Sequence, residues 1–267
     1  MKYLFWNTHN NEEINQYLCL LIEEYNPDFV GLAEFTSNGK DLEKLLIKKG
    51  LDYKFIPKIG SRVDILIKGK RKGIKHYRDC EFYAIKTIPG EKEKQIVVLV
   101  HFPCKQHADD HDYEEIIHLM LDDLEYVKRR VCTKNVVILG DFNLNPFDAP
   151  MINATSLQAI SSKEIVIRRE YRKYKKKQRE FYYNPMWNFL GDRMLPPGSY
   201  YYTTSHNKAL FWNTIDQFVV SKELANDVNL EKIKYITNVG GIELCNKYGH
   251  PSISDHFPLY FEIGEKE

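Results

Sequence analysis

Five short apolar runs, each bounded by a polar side chain, set the tightest limit on what this chain can become. "YLFW" ends at Asn7, "FVGLA" at Glu34, "IVVLV" at His101 and "VVILG" at Asp141, while Asp216 opens "DQFVV". Runs this short cannot span a bilayer, which takes about 20 apolar residues, and they suit buried β-strands. A strand end backed by a core is a rigid platform, so polar residues repeated there carry more information than the same residues in loops.

Between the runs the spacing turns helical. Ile14, Tyr17, Leu18, Leu21, Ile22 and Tyr25 recur every three or four residues behind Asn11-Glu12-Glu13, which predicts a helix. Residues 39–50 predict a second. Tyr113, Ile116, Ile117, Met120, Leu121, Leu124 and Val127 predict a third. Further strands are expected at 53–56, 63–67, 81–87, 95–102 and 135–140, and in "TIDQFVVS" and "FPLYFEI". Residues 156–180 read as a helix ending in a basic run. No repeat or linker divides the chain. The expectation is one α/β domain (α+β in its strand order) over 1–267, with largely antiparallel sheets and a basic helical insertion around 160–182.

A hydrophobic content of 43% over 267 residues supports a sizeable core. With a net charge of +1, any basic surface must be local. The five cysteines are scattered without CxxC spacing and read as reduced thiols. The start lacks a signal-peptide core, so a cytoplasmic location is expected.

"GDFN", residues 140–143, is where chemistry and structure compete. In extended backbone Asp141 and Asn143 project to one side and Phe142 to the other, into packing. Gly-Asp-x-Asn is also ordinary turn chemistry. Glu34 could cap or face solvent, and His101 could be a core histidine. Asp216 could merely start a strand, Asn7 merely end one, and Ser254-Asp255-His256 could be a polar loop. Their joint recurrence at strand ends strains that set of separate explanations.

Taken in order, "WNT" at Asn7, "LAEF" at Glu34, "GDFN", "IDQFVVS" at Asp216 and "SDHFP" at Asp255-His256 resemble the endonuclease/exonuclease/phosphatase superfamily of DNase I-like enzymes. The resemblance spans nearly the whole chain. It implies a four-layer α/β/β/α sandwich, two packed mixed β-sheets flanked by helices, with the site at one end of the sheets. It further implies Glu34 as principal ligand of Mg²⁺ or Mn²⁺, with Asn7 and Asp255 as further ligands. Asp141 would orient or deprotonate the attacking water and Asn143 would hold a phosphate oxygen. Asp216 would fix the His256 tautomer, and His101 would donate to the phosphoryl group. "LVHFP" resembles the DNase I and phosphodiesterase branches, since abasic-site endonucleases generally carry Tyr there. Leu139 and Leu144-Asn145-Pro146 depart from the inositol-polyphosphate phosphatase pattern.

Substrate class rests on charge. In "RREYRKYKKKQR", 168–179, eight of twelve residues are basic: Arg168, Arg169, Arg172, Lys173, Lys175, Lys176, Lys177 and Arg179. "KGKRKGIKHYR", 68–78, with Arg71 and Lys72, is a second cluster. Such clusters are either solvated faces or contacts to a phosphate backbone. Trp212, four residues before Asp216, is expected near the mouth of the site, stacked on a base or packing a loop. The expected activity is a metal-dependent nuclease acting on DNA or RNA. The alternatives are a phosphatase or lipid or small-molecule phosphodiesterase, and a catalytically inactive scaffold. No membrane partner is expected.

Overall fold

The computed structural model describes residues 1–69, 73–90, 93–169, 171–175, 177–192, 194–203 and 210–264. Arg71, Lys72, Lys176 and the side chain of Lys177 lie outside them.

Two mixed sheets dominate. The first has six strands: β1 (Lys2–Asn7), β2 (Phe29–Ala33), β3 (Tyr53–Ile56), β4 (Val63–Lys68), β16 (Lys234–Tyr235) and β19 (Leu259–Glu262), in the order β16-β19-β1-β2-β4-β3. Only β1 and β2 run parallel within it. The second has seven: β5 (Lys75–Asp79), β6 (Tyr83–Ile88), β7 (Gln95–His101), β8 (Val136–Asp141), β9 (Ala159–Ile160), β12 (Tyr182–Tyr183) and β15 (Asp216–Val220), ordered β5-β6-β7-β8-β15-β12-β9. Two-stranded ribbons join β10 (Tyr171–Tyr174) to β11 (Lys177–Glu180), β13 (Tyr200–Tyr202) to β14 (Phe211–Asn213), and β17 (Asn238–Val239) to β18 (Ile242–Glu243).

Strand alternation separates two cores. Val97, Leu99, Val137, Leu139 and Phe218 face the first sheet, where Phe218 stacks on Phe261 with ring centroids 3.6 Å apart. Ile96, Val98, Val100, Val136 and Ile138 face outward and pack with α3 (Asp110–Val131) through Ile117, Met120, Leu121 and Leu124. On the far side, α1 (Ile14–Tyr25) and α2 (Gly39–Lys48) bury Leu18, Leu21, Ile22, Leu42 and Leu46. The result is the expected four-layer sandwich. Among the described residues, no helix is long and apolar enough to cross a membrane.

The segment 156–180 differs from expectation. Among its described residues only α5 (Lys163–Arg168) is helical, capped by Ser162 accepting from the Ile165 amide at 3.3 Å, and β10 and β11 then form an antiparallel hairpin. On a helix, Arg168/Arg172 and Arg169/Lys173 would stack like charges at i,i+4, whereas an extended ribbon rich in tyrosine separates them. The strand β5 escaped sequence reading because it is a charged edge strand with no apolar alternation. Short helices α4 (Ala149–Ile152) and α6 (Lys222–Ala225) complete the set.

One glycine is required. Gly140 has φ +150, and a Cβ there would lie 1.9 Å from the Val100 carbonyl oxygen on β7. Gly140→Ala is therefore expected to destabilise the protein by about 2 kcal/mol or more, read as a lowered urea midpoint. An unchanged midpoint would contradict the close approach of β7 and β8.

Candidate active site

Register puts three functional groups in a row. His101 lies opposite Asp141 in the parallel β7–β8 pair, and Asp216 lies opposite Asp141 in the antiparallel β8–β15 pair. Thus the end of β7, the end of β8 and the start of β15 meet at one level. The first sheet brings the rest: Asn7 closes β1, Glu34 follows β2, and Asp255 and His256 precede β19. The 254–256 loop is tied down over β1. Ser254 Oγ donates to the Asn7 carbonyl at 2.7 Å and Trp6 Nε1 donates to the His256 carbonyl at 2.8 Å.

Asn7, Glu34, His101, Asp141, Asn143, Asp255 and His256 line a cavity of about 530 Å³, with Asp216 fully buried behind His256. Asp216 Oδ2 accepts from His256 Nδ1 at 2.7 Å, and His256 Nε2 then lies 4.0 Å from Asp141 Oδ2. Asp141 Oδ1 accepts from the Asn143 amide at 2.9 Å and Oδ2 from Asn7 Nδ2 at 3.1 Å. His101 Nε2 sits 3.5 Å from Glu34 Oε1 and 3.9 Å from Asp141 Oδ2. Glu34 and Asn143 both hold left-handed backbone, φ 48 and 51, a strained conformation for non-glycine residues. For Asn143 this replaces the simple period-two placement. Its Nδ2 donates to the Phe102 carbonyl at 2.9 Å, leaving the rest of the carboxamide toward the cavity it lines. Phe142 points away as expected, edge-on to Phe102 at 5.6 Å.

Burial sets the protonation states. It lowers the His101 imidazole to about 4, with the Glu34 charge opposing and the Arg62 and His256 charges adding to the fall. His256 is likewise pushed down by burial, but contact with the Asp216 carboxylate outweighs this and the group rises. Burial raises the Asp141 carboxyl, with the His256 imidazolium opposing and the Asp216 charge reinforcing. A buried imidazolium thus sits between two carboxylates.

Two groups of ligand atoms could attract a cation. Asp141, Asp216 and His256 bring atoms within 4.8 Å of one another, but Asp216 Oδ2 is already committed to the His256 N–H. The oxygens of Glu34, Asn7 and Asp255 fit a hard divalent ion better. Among the described residues the Glu34 carboxylate accepts only from neutral amides, Asn7 Nδ2 at 3.2 Å and Asn10 Nδ2 at 3.0 Å, and no Lys or Arg pairs with it. Asp255 is equally without a Lys or Arg partner there.

Several lining residues escaped sequence reading. His9 Nδ1 lies 3.3 Å from Asp255 Oδ2 and 3.9 Å from Glu34 Oε2. It stands two residues after Asn7, the spacing that linked Asp141 to Asn143. Tyr200 packs over the His256 ring at 4.7 Å and Tyr202 lies alongside Tyr200, so alternation within "YYY" was the available signal. Outside the lining, Asn145, noted in the sequence only as a departure from the inositol-polyphosphate phosphatase pattern, ties the turn after β8 to the end of β14: its Nδ2 donates to Asn213 Oδ1 at 2.9 Å and its Oδ1 accepts from the Thr214 amide at 2.8 Å.

Other expected residues are not brought to the cavity. Trp212 pairs with Tyr201, on the opposite side of the β13–β14 ribbon from Tyr200 and Asn213, and packs against Phe257 and His250. Its role in the structure is packing, not a stacking platform at the mouth. Arg168, Arg169, Arg172, Lys173, Lys175 and Arg179 lie on α5 and the hairpin or their flanks, and none lines the cavity.

In metal-free protein the His256 imidazole is expected to stay protonated above its ordinary value of 6.5. Asp216→Asn removes the main charge holding the proton, so the titration should fall to 6.5 or below. Imidazole NMR in chelator reads this directly, and an unchanged titration in the variant would refute the coupling.

The sequence profile of the Endonuclease/Exonuclease/phosphatase family matches residues 4–256. No curated protein sequence matches the chain. Among solved structures, the 3′ phosphatase NExo from Neisseria, bound to a product DNA hairpin, has a TM-score of 0.59 at 15% identity, with 99% of this chain and 100% of that chain covered. TDP2 from D. rerio, complexed with a single-strand DNA product, gives 0.58 at 16%, with 98% and 97% covered. The endonuclease domain of TRAS1, a telomere-specific non-LTR retrotransposon, gives 0.57 at 10%, with 100% and 99% covered. At these identities the likeness is one of fold.

Proposed function

The chain belongs to the endonuclease/exonuclease/phosphatase family, and from that premise we propose that it is a nuclease, hydrolysing phosphodiester bonds of DNA or RNA with Mg²⁺ or Mn²⁺. The observation that carries this reading is His256, held from behind by Asp216 at 2.7 Å, facing Asp141 beside the Glu34, Asn7 and Asp255 oxygens in one cavity. Similar folds holding DNA products favour nucleic acid among phosphodiesters. We take the chain as a single catalytic domain, because one core joins both sheets.

A divalent cation held by Glu34, with Asn7 and Asp255 supplying further oxygens, would neutralise charge on the phosphoryl and leaving oxygens. The protein's own residues do the rest. Asp141, whose carboxyl burial makes more basic, takes the proton of the attacking water. Asn7 Nδ2 and the Asn143 amide hold that carboxylate in one orientation. Asp216 keeps the His256 proton on Nδ1 in the neutral form and favours the doubly protonated ring, so that Nε2–H points at the phosphoryl oxygens. His101, kept neutral by burial, offers a second N–H on the opposite side of Asp141. Asn143 donates its second Nδ2–H, the first being held by the Phe102 carbonyl, to a phosphate oxygen.

Purified protein should cleave labelled DNA or RNA with Mg²⁺ or Mn²⁺ and stop in chelator. Asp141→Asn and His256→Ala should each lose at least about 10²-fold in kcat. Turnover confined to phosphomonoesters or phospholipids would replace the nuclease reading, and binding without turnover would leave only a scaffold. Native rates in both variants would refute the site.

A further inference from the structure

The described residues of the two basic clusters, distant in sequence and absent from the active-site cavity, converge at the opposite end of the second sheet. Lys75 pairs with Thr87, which is level with Ile96 and Val136. On the other side Tyr183, which follows the basic hairpin, pairs with Val220, level with Val137 and Val97. The site occupies the level of His101, Asp141 and Asp216. Five residues of strand separate the two levels, about 17 Å.

The last turns of α3 join the clusters. Asp122 pairs with Arg179 at 3.6 Å, and Lys128 pairs with Glu180, which fixes the hairpin to one flank. On the other flank Asp123 pairs with Arg78 at 2.8 Å, and Arg78 lies over the Tyr126 ring at 5.7 Å. There Lys75, His76, Tyr77, Arg78, Tyr126 and Arg130 line a second cavity of about 660 Å³ with no carboxylate among them.

This cavity is built. Lys86, 1% exposed, donates to Asp79 Oδ2 and to His76 Nδ1, each at 2.9 Å, so the His76 proton is left on Nε2. Among the described residues no carboxylate pairs with Lys75, Arg130, Arg172, Lys173 or Lys175. Tyr171 and Tyr174 are 51% and 38% exposed on the hairpin, with Arg172 and Lys175 over the Tyr174 ring at 5.7 and 5.5 Å. Cations interleaved with exposed aromatic rings suit a nucleic-acid strand, whose phosphates and bases they can engage together.

We propose that the β5 edge, the C-terminal half of α3 and the β10–β11 hairpin form a second nucleic-acid-binding surface, which grips substrate away from the bond being cleaved. The proposal rests on the nuclease reading for its role but not for the binding itself. It makes the surface matter only for strands long enough to reach both ends of the sheet.

The test combines Lys75→Glu, Arg130→Glu, Arg172→Glu and Lys173→Glu, all exposed positions. A parallel set of four glutamine substitutions serves as a milder variant, and circular dichroism melting checks the fold of each. Fluorescence anisotropy in chelator would compare single-stranded DNA of about 40 and about 6 nucleotides, and cleavage rates would be taken on both. Long-strand affinity should fall at least about 10-fold in the glutamate set and less in the glutamine set, with a shallower salt dependence. Short-strand kcat/KM should stay within about twofold of native. Equal long-strand affinity in all three proteins overturns the proposal, as does an equal loss on both lengths. A native protein that binds long strands through these residues yet cleaves nothing keeps the surface and removes the nuclease reading.

Discussion

The packing of one sheet on the other decides where every functional group of this protein stands. Phe218 of β15 stacks on Phe261 of β19, and a Cβ on Gly31 of β2 would meet both Leu99 of β7 and Phe5 of β1 at 3.1 Å. Tyr3 of β1 reaches across to hydrogen-bond the Gln95 side chain at the start of β7. Interiors packed at this density do not slide, because each shift trades filled contacts for voids or clashes. Each sheet contributes an incomplete set: Glu34, Asn7, Asp255 and His256 from one, His101, Asp141 and Asp216 from the other. The site exists because the two strand-end rows are held in register by the core between them.

That rigidity is needed for what the site contains. Asp216 is fully buried, Asp141 and His256 nearly so, and buried charges are favourable only in well-defined, paired geometry. The left-handed backbone of Glu34 and Asn143 costs about 1–3 kcal/mol at each position. Thr8 helps hold the first, its Oγ donating to the Glu34 carbonyl at 3.0 Å. Phe142, clamped in the outer core, helps hold the second. Apolar packing thus sustains a strained polar centre, which is the division of labour expected where geometry serves chemistry.

The legibility of this arrangement in the sequence follows the range of the physics involved. Strands β1, β2, β7, β8 and β15 and helices α1 and α3 could be read because burial imposes local periodicity, and their polar ends interrupt it. Neighbourhood could not be read that way: nothing local to Asp216 says that it sits opposite Asp141, and only the ordered motifs of a known family suggested it. Segment 156–180 misled because a run of Lys, Arg and Gln has good helix propensity, while the like-charge crowding that opposes a helix depends on partners along its face. Trp212 misled for a related reason. Its distance from Asp216 in sequence was right for the mouth, but the side it faces is set by its pairing with Tyr201. His9 and Tyr200 carried the period-two signal without an apolar run to make it conspicuous.

A net charge of +1 conceals a strongly divided surface. Carboxylates gather at one end of the second sheet and cations at the other, separated by about 17 Å of strand. At physiological ionic strength the Debye length is about 8 Å, so solvent-exposed cations at the far end are screened from the catalytic cavity. They cannot soften the field that Glu34, Asp141, Asp216 and Asp255 present to an incoming phosphate. Within the cavity lining Arg62 and Lys105 stand with the His256 imidazolium against that field, and on the proposed reading a divalent cation would add to them at the Glu34 and Asp255 oxygens, which among the described residues have no Lys or Arg partner. The distant cations can therefore influence a polyanion only by touching a different part of it. On the proposed reading the acidic end and the basic end would act on one substrate through its length, which a small phosphodiester does not have.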